Sequence, residues 1–317
     1  MITPHAITPT GGLRGSPEAA APDWTSAVDA LERALREGLD PEADPPRSRV
    51  DLADGELLLM PSRLPGWTGA KLITVTAGNP DRGLPLVQGV YVLFDARTGT
   101  PAAVLDGAEL TTLRTPAVSA LAVRHLATGP VRRIALLGSG VQARAHADAL
   151  LTTTTATRID VIGRSPEKVD ALVAGFAGRA AEVRPAGIDA VTEADVVVCA
   201  TSSPVPLLDG DAIRPDAVVV AIGSHTPDTR EVGSDLAARS AVVVESRQSA
   251  LRENGDVVLP IAEGLLAEAD LLTLADVVTG RSAPPPDRPR LFTGTGMPWQ
   301  DLVVAAAVAA PTDRSTR

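Results

Sequence analysis

Behind Asp23 the apolar residues Trp24, Val28, Leu31, Leu35 and Leu39 recur at spacings of three and four. That period belongs to one face of an α-helix, and aspartate is a residue type that caps helix starts. Four strand-like stretches follow, at 55–60, 71–76, 89–95 and 101–106. They are parted by Gly- and Pro-bearing turns such as Gly78-Asn79-Pro80 and Arg97-Thr98-Gly99. Thr115-Pro116 predicts the start of another helix, with Thr as cap and Pro at the first helical position, running to about residue 127.

Past Pro130 the rhythm changes. Short apolar runs at 133–137, 159–162, 196–200, 218–222 and 241–244 alternate with helical stretches. Continuous rather than alternating apolar runs, spaced by helices, predict βαβ units and a parallel sheet buried on both faces. Residues 282–289, with three consecutive prolines, read as a linker leaving that domain, and 302–309 as a final apolar helix. Residues 1–22, rich in Pro, Gly, Thr and Ala, read as a flexible tail. No internal repeat is apparent.

A length of 317 residues suits about two domains. Aromatics make up 2% of the chain against 44% hydrophobic residues, so the core is aliphatic. So few aromatics, with a formal charge of -10, argue against nucleic acid, whose binding uses stacking platforms and basic surfaces. A lone cysteine, Cys199, permits no intrachain disulfide and no Cys-based metal cluster. Within its apolar run it reads as a small buried hydrophobe rather than a catalytic thiol. The first residues lack the apolar region of a secretory signal, and no stretch reaches the roughly 18 apolar residues of a membrane span. The expectation is a cytoplasmic protein without metal or membrane partner.

The run 134–137 leads straight into Gly138-Ser139-Gly140-Val141-Gln142-Ala143 and then a helix through Leu150. This is G-x-G-x-x-A after a strand and opening a helix, as dinucleotide binding requires. Gly138 permits the tight turn, Gly140 lets backbone approach a pyrophosphate, and Ala143 allows close helix packing. The second strand ends Val161-Ile162-Gly163-Arg164-Ser165. NAD-preferring sites place an acid near there for the ribose hydroxyls; an arginine and a hydroxyl instead suit the 2′-phosphate of NADP(H). The expectation is thus NADP(H) preferred, with NAD(H) accepted. The bland alternative is a solvated arginine beside a Ser-Pro helix start. Expected cofactor contacts are Gly138, Gly140, Val141 and Gln142, then Arg164 and Ser165, then Thr201, Gly223 and Ser224.

Lys71-Leu72-Ile73-Thr74-Val75, Val92-Leu93-Phe94-Asp95 and Leu110-Thr111-Thr112-Leu113-Arg114-Thr115-Pro116-Ala117 resemble the ornithine cyclodeaminase and mu-crystallin family. So do the glycine loop, the stretch 223–231, Glu253-Asn254-Gly255-Asp256-Val257, and Gly294-Thr295-Gly296-Met297 through Asp301. The resemblance runs from about residue 43 to the C-terminus. It implies an α/β architecture: a Rossmann domain inserted into an α+β substrate-binding and dimerisation domain. The boundaries are then 23–115, 116–289 for the Rossmann part, and 290–317 as the return. It also implies a homodimer, with a small amino-acid-like substrate in the cleft between the domains.

By the same resemblance Lys71 is the active-site lysine, and burial would lower its pKa and suit it to proton transfer; the alternative is a strand-edge lysine reaching water. Arg114 corresponds to the carboxylate-binding arginine, whose planar fork holds two oxygens, the alternative being a surface ion pair. Arg47 resembles a second carboxylate contact, and Gln88 lies near a substrate-contact region. Asp301 matches an aspartate close to the cleft, or else a carboxylate at a helix N-terminus. One departure matters: where ornithine cyclodeaminases carry an aspartate two residues after the loop glycine, Gly223-Ser224 is followed by His225. A histidine suits an acid or polar contact near the nicotinamide, or has no chemical role, and is a poor match for the amine of ornithine. The implied function is an NADP(H)-dependent oxidoreductase reducing a small imine or ketimine alpha to a carboxylate, or the reverse amino-acid dehydrogenation. A recycling ornithine cyclodeaminase and an NADPH-dependent ligand-binding protein are the alternatives.

Overall fold

The computed structural model describes residues 23–309; the tail read at 1–22 and residues 310–317 of the return lie outside the described residues. The described residues form two units, one of 23–114 with 297–309 and one of Thr115–Gly296.

In the first unit, α1 (Trp24–Arg36) starts where Asp23 accepts the N–H of Ser26 at 3.0 Å. Its buried stripe is Trp24, Ala27, Val28, Leu31 and Leu35. Five antiparallel strands follow as a meander in chain order: β1 (Ser48–Leu52), β2 (Gly55–Leu64), β3 (Trp67–Val75), β4 (Val87–Asp95) and β5 (Pro101–Asp106). Strand β1 was not expected, because Ser-Arg-Val-Asp-Leu carries too little apolar pattern. One face of the sheet buries Leu58, Met60, Ile73, Tyr91, Leu93 and Leu105, with Lys71 among them. Helix α9 (Pro298–Ala309) packs on β2 and β3, and α1 packs on α9.

The expected helix start at Thr115-Pro116 is corrected. Helix α2 spans Gly107–Leu126, with Pro116 inside it. Asp106 explains the earlier start, since its carboxylate accepts the N–H groups of Ala108 at 2.8 Å and Glu109 at 2.9 Å. Pro116 removes one interior backbone donor but does not end the helix.

The second unit holds β6 (Arg133–Leu137), α3 (Val141–Thr153), β7 (Arg158–Ile162), α4 (Pro166–Ala174), β8 (Glu182–Pro185), β9 (Val196–Cys199) and β10 (Val218–Ala221). It continues through α5 (Ser234–Arg239), β11 (Ala241–Val244), α6 (Arg247–Glu253), α7 (Gly255–Ala262), β12 (Leu272–Thr273), α8 (Leu274–Val278) and β13 (Arg290–Thr293). The eight strands are parallel, in the order β12-β11-β13-β10-β9-β6-β7-β8. The Val-rich strands β9 and β10 are wholly buried, as a sheet covered on both faces requires.

Strand β13 moves the expected boundary at residue 290. It lies between β10 and β11, so the proline run does not leave the parallel sheet, and the division falls at Gly296/Met297. Arg290 at its start masks the strand in the sequence. Its side chain is buried, donating to the carbonyls of Asp216 at 2.9 Å and Pro286 at 3.0 Å. Among the described residues no helix is long and apolar enough to cross a membrane.

Candidate functional site

In the second unit β6 pairs with β7 on one side and β9 on the other, at the point where the strand order reverses. Doubly wound sheets bind ligands at the carboxyl ends of the strands beside such a reversal. Gly138 turns the chain there with φ of +121°, and a Cβ added to it would lie 2.4 Å from the Ala200 carbonyl oxygen. Only glycine fits. Gly140 caps α3 without any side-chain hydrogen bond, and a Cβ there would meet nothing within 4 Å. The α3 N-terminus therefore faces open space, as an anion-binding helix start needs. Val141 is exposed, and Gln142 buries its Oε1 without a hydrogen-bond partner among the described residues. These residues fit a dinucleotide.

After β7, Arg164 is exposed and Ser165 caps α4, its hydroxyl accepting the Lys168 N–H at 3.3 Å and donating to Glu167 at 2.8 Å. The Glu167 carboxyl is held below its ordinary range by its own backbone N–H and by Ser165. An arginine and a carboxylate thus flank the same helix start.

The loops after β9 and β10 are joined by Glu231, to which no local pattern assigns a role. Its carboxylate accepts the Thr201 N–H at 2.8 Å, the Thr201 hydroxyl at 2.5 Å and the Gly223 N–H at 2.6 Å. Asp256 in turn accepts the N–H groups of Glu231 and Val232 at 2.8 and 2.9 Å. Burial pushes both carboxyls above their usual range. Glu245 accepts the N–H groups of Thr295 and Gly296 at 3.0 and 2.8 Å. Its signal in the sequence was an acid directly after the valine run of β11. The Ser224 hydroxyl donates to the Thr229 carbonyl at 2.6 Å and accepts the Gly255 N–H at 3.0 Å. His225 is exposed, with Nδ1 3.1 Å from the Gly223 carbonyl oxygen.

In the first unit Lys71 and Asp301 are both 0% exposed. Lys71 Nζ donates to Asp301 Oδ1 at 2.9 Å, lies 2.8 Å from Oδ2, and reaches the Thr111 hydroxyl at 3.4 Å. Arg114 Nε lies 3.3 Å from Asp301 Oδ1, and its Nη1 donates to Gln300 at 3.2 Å. Burial lowers the Lys71 pKa to about 8; Asp301 opposes that shift, while Arg114 and Arg47 reinforce it. Arg47 therefore belongs to the same electrostatic cluster. The Arg114 Nε, the Tyr91 hydroxyl and the Trp299 Nε1 are buried without hydrogen-bond partners among the described residues. Such unfilled valence beside paired charge is what a polar ligand can complete.

Lys71, Arg114 and Asp301 are thus brought together, and Arg47 acts on Lys71 through its charge. Gln88 is not: it pairs with Thr74, out of step with the Lys71–Tyr91 pair, so it stands exposed on the opposite sheet face. Asp44 was missed, and nothing local signals it. It accepts the Ser62 hydroxyl at 2.6 Å and the Trp299 N–H at 2.7 Å, and burial raises its pKa to about 6.

Comparison with known proteins places these sites in a lineage. The profile described as "Ornithine cyclodeaminase/mu-crystallin family" matches residues 23–314. Delta(1)-pyrroline-2-carboxylate reductase 1 of Burkholderia multivorans is 34% identical over 300 residues, 94% of this chain and 94% of that protein. Ketimine reductase mu-crystallin of Rattus norvegicus is 33% identical over 240 residues, 75% of this chain and 74% of its own. The structure of Thermococcus litoralis Delta(1)-pyrroline-2-carboxylate reductase, in complex with NADH and L-proline, superposes with a TM-score of 0.85 at 26% identity. That match covers 90% of this chain and 92% of the other.

Proposed function

The chain belongs to the ornithine cyclodeaminase/mu-crystallin family, and on that footing we propose that it is an NADP(H)-dependent reductase of small imines alpha to a carboxylate. The observation that carries this is the buried Lys71 ammonium, held by Asp301 beside Arg114. Gly138, Gly140 and the N-terminus of α3 would hold the pyrophosphate of a reduced nicotinamide dinucleotide, which when bound would supply the hydride.

The chain's own residues supply position and the proton. Arg114 holds the substrate carboxylate by its fork, and Arg47 adds a second cation. Lys71 gives its proton to the imine nitrogen and regains one from solvent, so the C=N bond gains one hydride and one proton. With its pKa lowered to about 8 by burial, Lys71 is protonated near neutrality yet more acidic than an ordinary lysine. Asp301 fixes Lys71 and Arg114 relative to each other. His225 serves as a polar contact. Run backwards, the same groups perform amino-acid dehydrogenation.

The finer expectations are also part of this proposal. Arg164 and Ser165 favour the 2′-phosphate of NADP(H). Val50 and Leu52, large apolar side chains exposed on β1 at the edge of the five-stranded sheet, favour a homodimer. A single buried thiol, Cys199, suits the cytoplasm.

Delta(1)-pyrroline-2-carboxylate should consume one NADPH per proline formed, and ornithine none. Proline and ammonia from ornithine, without net NADPH change, would establish the cyclodeaminase instead. Tight NADPH binding with no turnover of any linear or cyclic imine would leave a ligand-binding protein.

A further inference from the structure

We propose that Glu231 is a specificity-determining residue, whose buried carboxylate favours the oxidised, cationic nicotinamide ring over the neutral reduced one. This rests on the dinucleotide reading above.

The hydrogen bonds fix the ionisation of Glu231. Its Oε1 accepts the Thr201 N–H at 2.8 Å and the Thr201 hydroxyl at 2.5 Å, and its Oε2 accepts the Gly223 N–H at 2.6 Å. The Thr201 oxygen also accepts the Ser203 N–H at 3.1 Å, so its own proton goes to Glu231. A protonated carboxyl would need an acceptor, and every partner here is a donor. Burial opposes the charge, and these donors hold it.

That charge meets no counter-charge. Glu231 and Asp256 are both 0% exposed, and among the described residues no lysine, arginine or histidine forms an ion pair with either. Arg230, next in the chain, is paired with Glu263 at 2.9 Å. Asp256, which accepts the N–H of Glu231 at 2.8 Å, adds a second acid. A cation placed nearby is therefore favoured.

The carboxylate lies behind the turn that fits the dinucleotide. The Thr201 N–H that it accepts belongs to the same peptide as the Ala200 carbonyl. That carbonyl abuts Gly138, where a Cβ would lie 2.4 Å from its oxygen. One peptide thus separates the charge from the glycine turn. Arg164 and Ser165 follow β7 on one side of β6, whereas Thr201 and Gly223 follow β9 and β10 on the other. A dinucleotide spans such a reversal, so an adenosine half at Arg164 leaves the nicotinamide half to the Thr201 and Gly223 loops. Hydride loss turns that ring from neutral to cationic, while the phosphates keep their charge. By favouring the cation, Glu231 strengthens hydride donation without touching a reacting atom.

The test is the ratio of the NADP+ and NADPH dissociation constants, measured by calorimetry for wild type and Glu231→Gln. Glutamine keeps the shape and one acceptor oxygen and removes the charge. The ratio should rise roughly five-fold or more, what a unit charge within about 15 Å at an effective dielectric of about 20 is worth. Loops loosened without a charge effect would weaken both forms alike, so a ratio unchanged within about two-fold in a folded variant overturns the proposal. A second measurement needs no variant. Wild type should bind NAD+ at least about five-fold more tightly than the isosteric dinucleotide with neutral benzamide in place of nicotinamide. Equal affinity overturns the proposal even if Glu231→Gln fails to fold. If wild type binds neither NADP+ nor NADPH, the dinucleotide reading falls and the proposal with it. Tight binding without imine turnover removes the reductase reading alone, and both ratios still decide the role of Glu231.

Discussion

The first unit buries Lys71 against Asp301, side-chain charge on side-chain charge, whereas the second buries Glu231 against backbone N–H groups of the Thr201 and Gly223 loops. In the unit that holds Lys71, the Tyr91 hydroxyl, the Arg114 Nε and the Trp299 Nε1 have no hydrogen-bond partner among the described residues. Around Glu231 the carboxylate oxygens are occupied by Thr201 and Gly223. A carboxylate saturated by backbone holds a shape. A cation with one counter-charge and unfilled neighbours can still exchange a proton and receive a ligand. On the proposed mechanism, the contrast separates residues that move atoms from residues that hold loops.

The sharpest way to break this comparison is at Lys71. Lys71→Met should lower kcat by roughly 10³-fold, within the range for loss of a general acid, and leave the NADPH dissociation constant within about two-fold. Stopped-flow single turnovers and fluorescence titration separate the two. The pH dependence gives the sign. The Lys71 pKa is depressed to about 8, so the ammonium that reduction needs is present below that pH and lost above it. For wild type kcat/KM should fall about ten-fold per unit above pH 8, since that ratio reports the free enzyme. A flat profile to pH 10 would remove Lys71 as the acid.

The opposite arm lies at Glu231. Glu231→Ala leaves the part-buried N–H groups of Thr201 and Gly223 without their acceptor, each worth up to about 1–3 kcal/mol when unpaired. Urea unfolding should show a loss of roughly 3 kcal/mol, and NADPH binding should weaken as the loops loosen. Glu231→Gln should cost about 1 kcal/mol, because burial already favours the neutral form and one acceptor oxygen remains. If the Ala and Gln variants instead lost turnover at unchanged stability, the division between shape-holding and chemistry would be wrong.

This division also explains what could be read from the sequence. Parallel strands buried on both faces appear as apolar runs, so β6, β9, β10 and β11 were legible almost residue for residue. Strand β13 was hidden by Arg290, whose charge is met by carbonyls 74 and 4 positions away. Pro116 drew the start of α2 too late, because the local proline signal outweighed the quieter cap at Asp106. Lys71 stood out as a charge inside an apolar strand, and Gly138 as a turn that no other residue can make. Asp44 and Glu231 did not, since their meaning comes from partners distant in the chain: Trp299 lies 255 positions from Asp44, and Thr201 lies 30 from Glu231. Local pattern reveals elements; closure of the fold assigns the lone acids.

The smallest expected effect concerns the choice between the two nicotinamide cofactors. On the proposed reading the exposed Arg164 at the start of α4 would attract a 2′-phosphate, while Glu167 in the first turn, kept ionised, would repel it. Both are solvated, so each effect is small and weakens further at high salt. Arg164→Ala should lower the preference for NADPH over NADH in kcat/KM by roughly five-fold, and Glu167→Gln should raise it by a few-fold. Both shifts should shrink between 0.05 and about 0.5 M salt, as the Debye length contracts. Opposite signs from neighbouring residues would show that cofactor choice is a balance of exposed charges, set apart from the buried pairs. If Arg164→Ala left the ratio untouched, the arginine would be a solvated helix-flanking residue and the 2′-phosphate reading would fall with it.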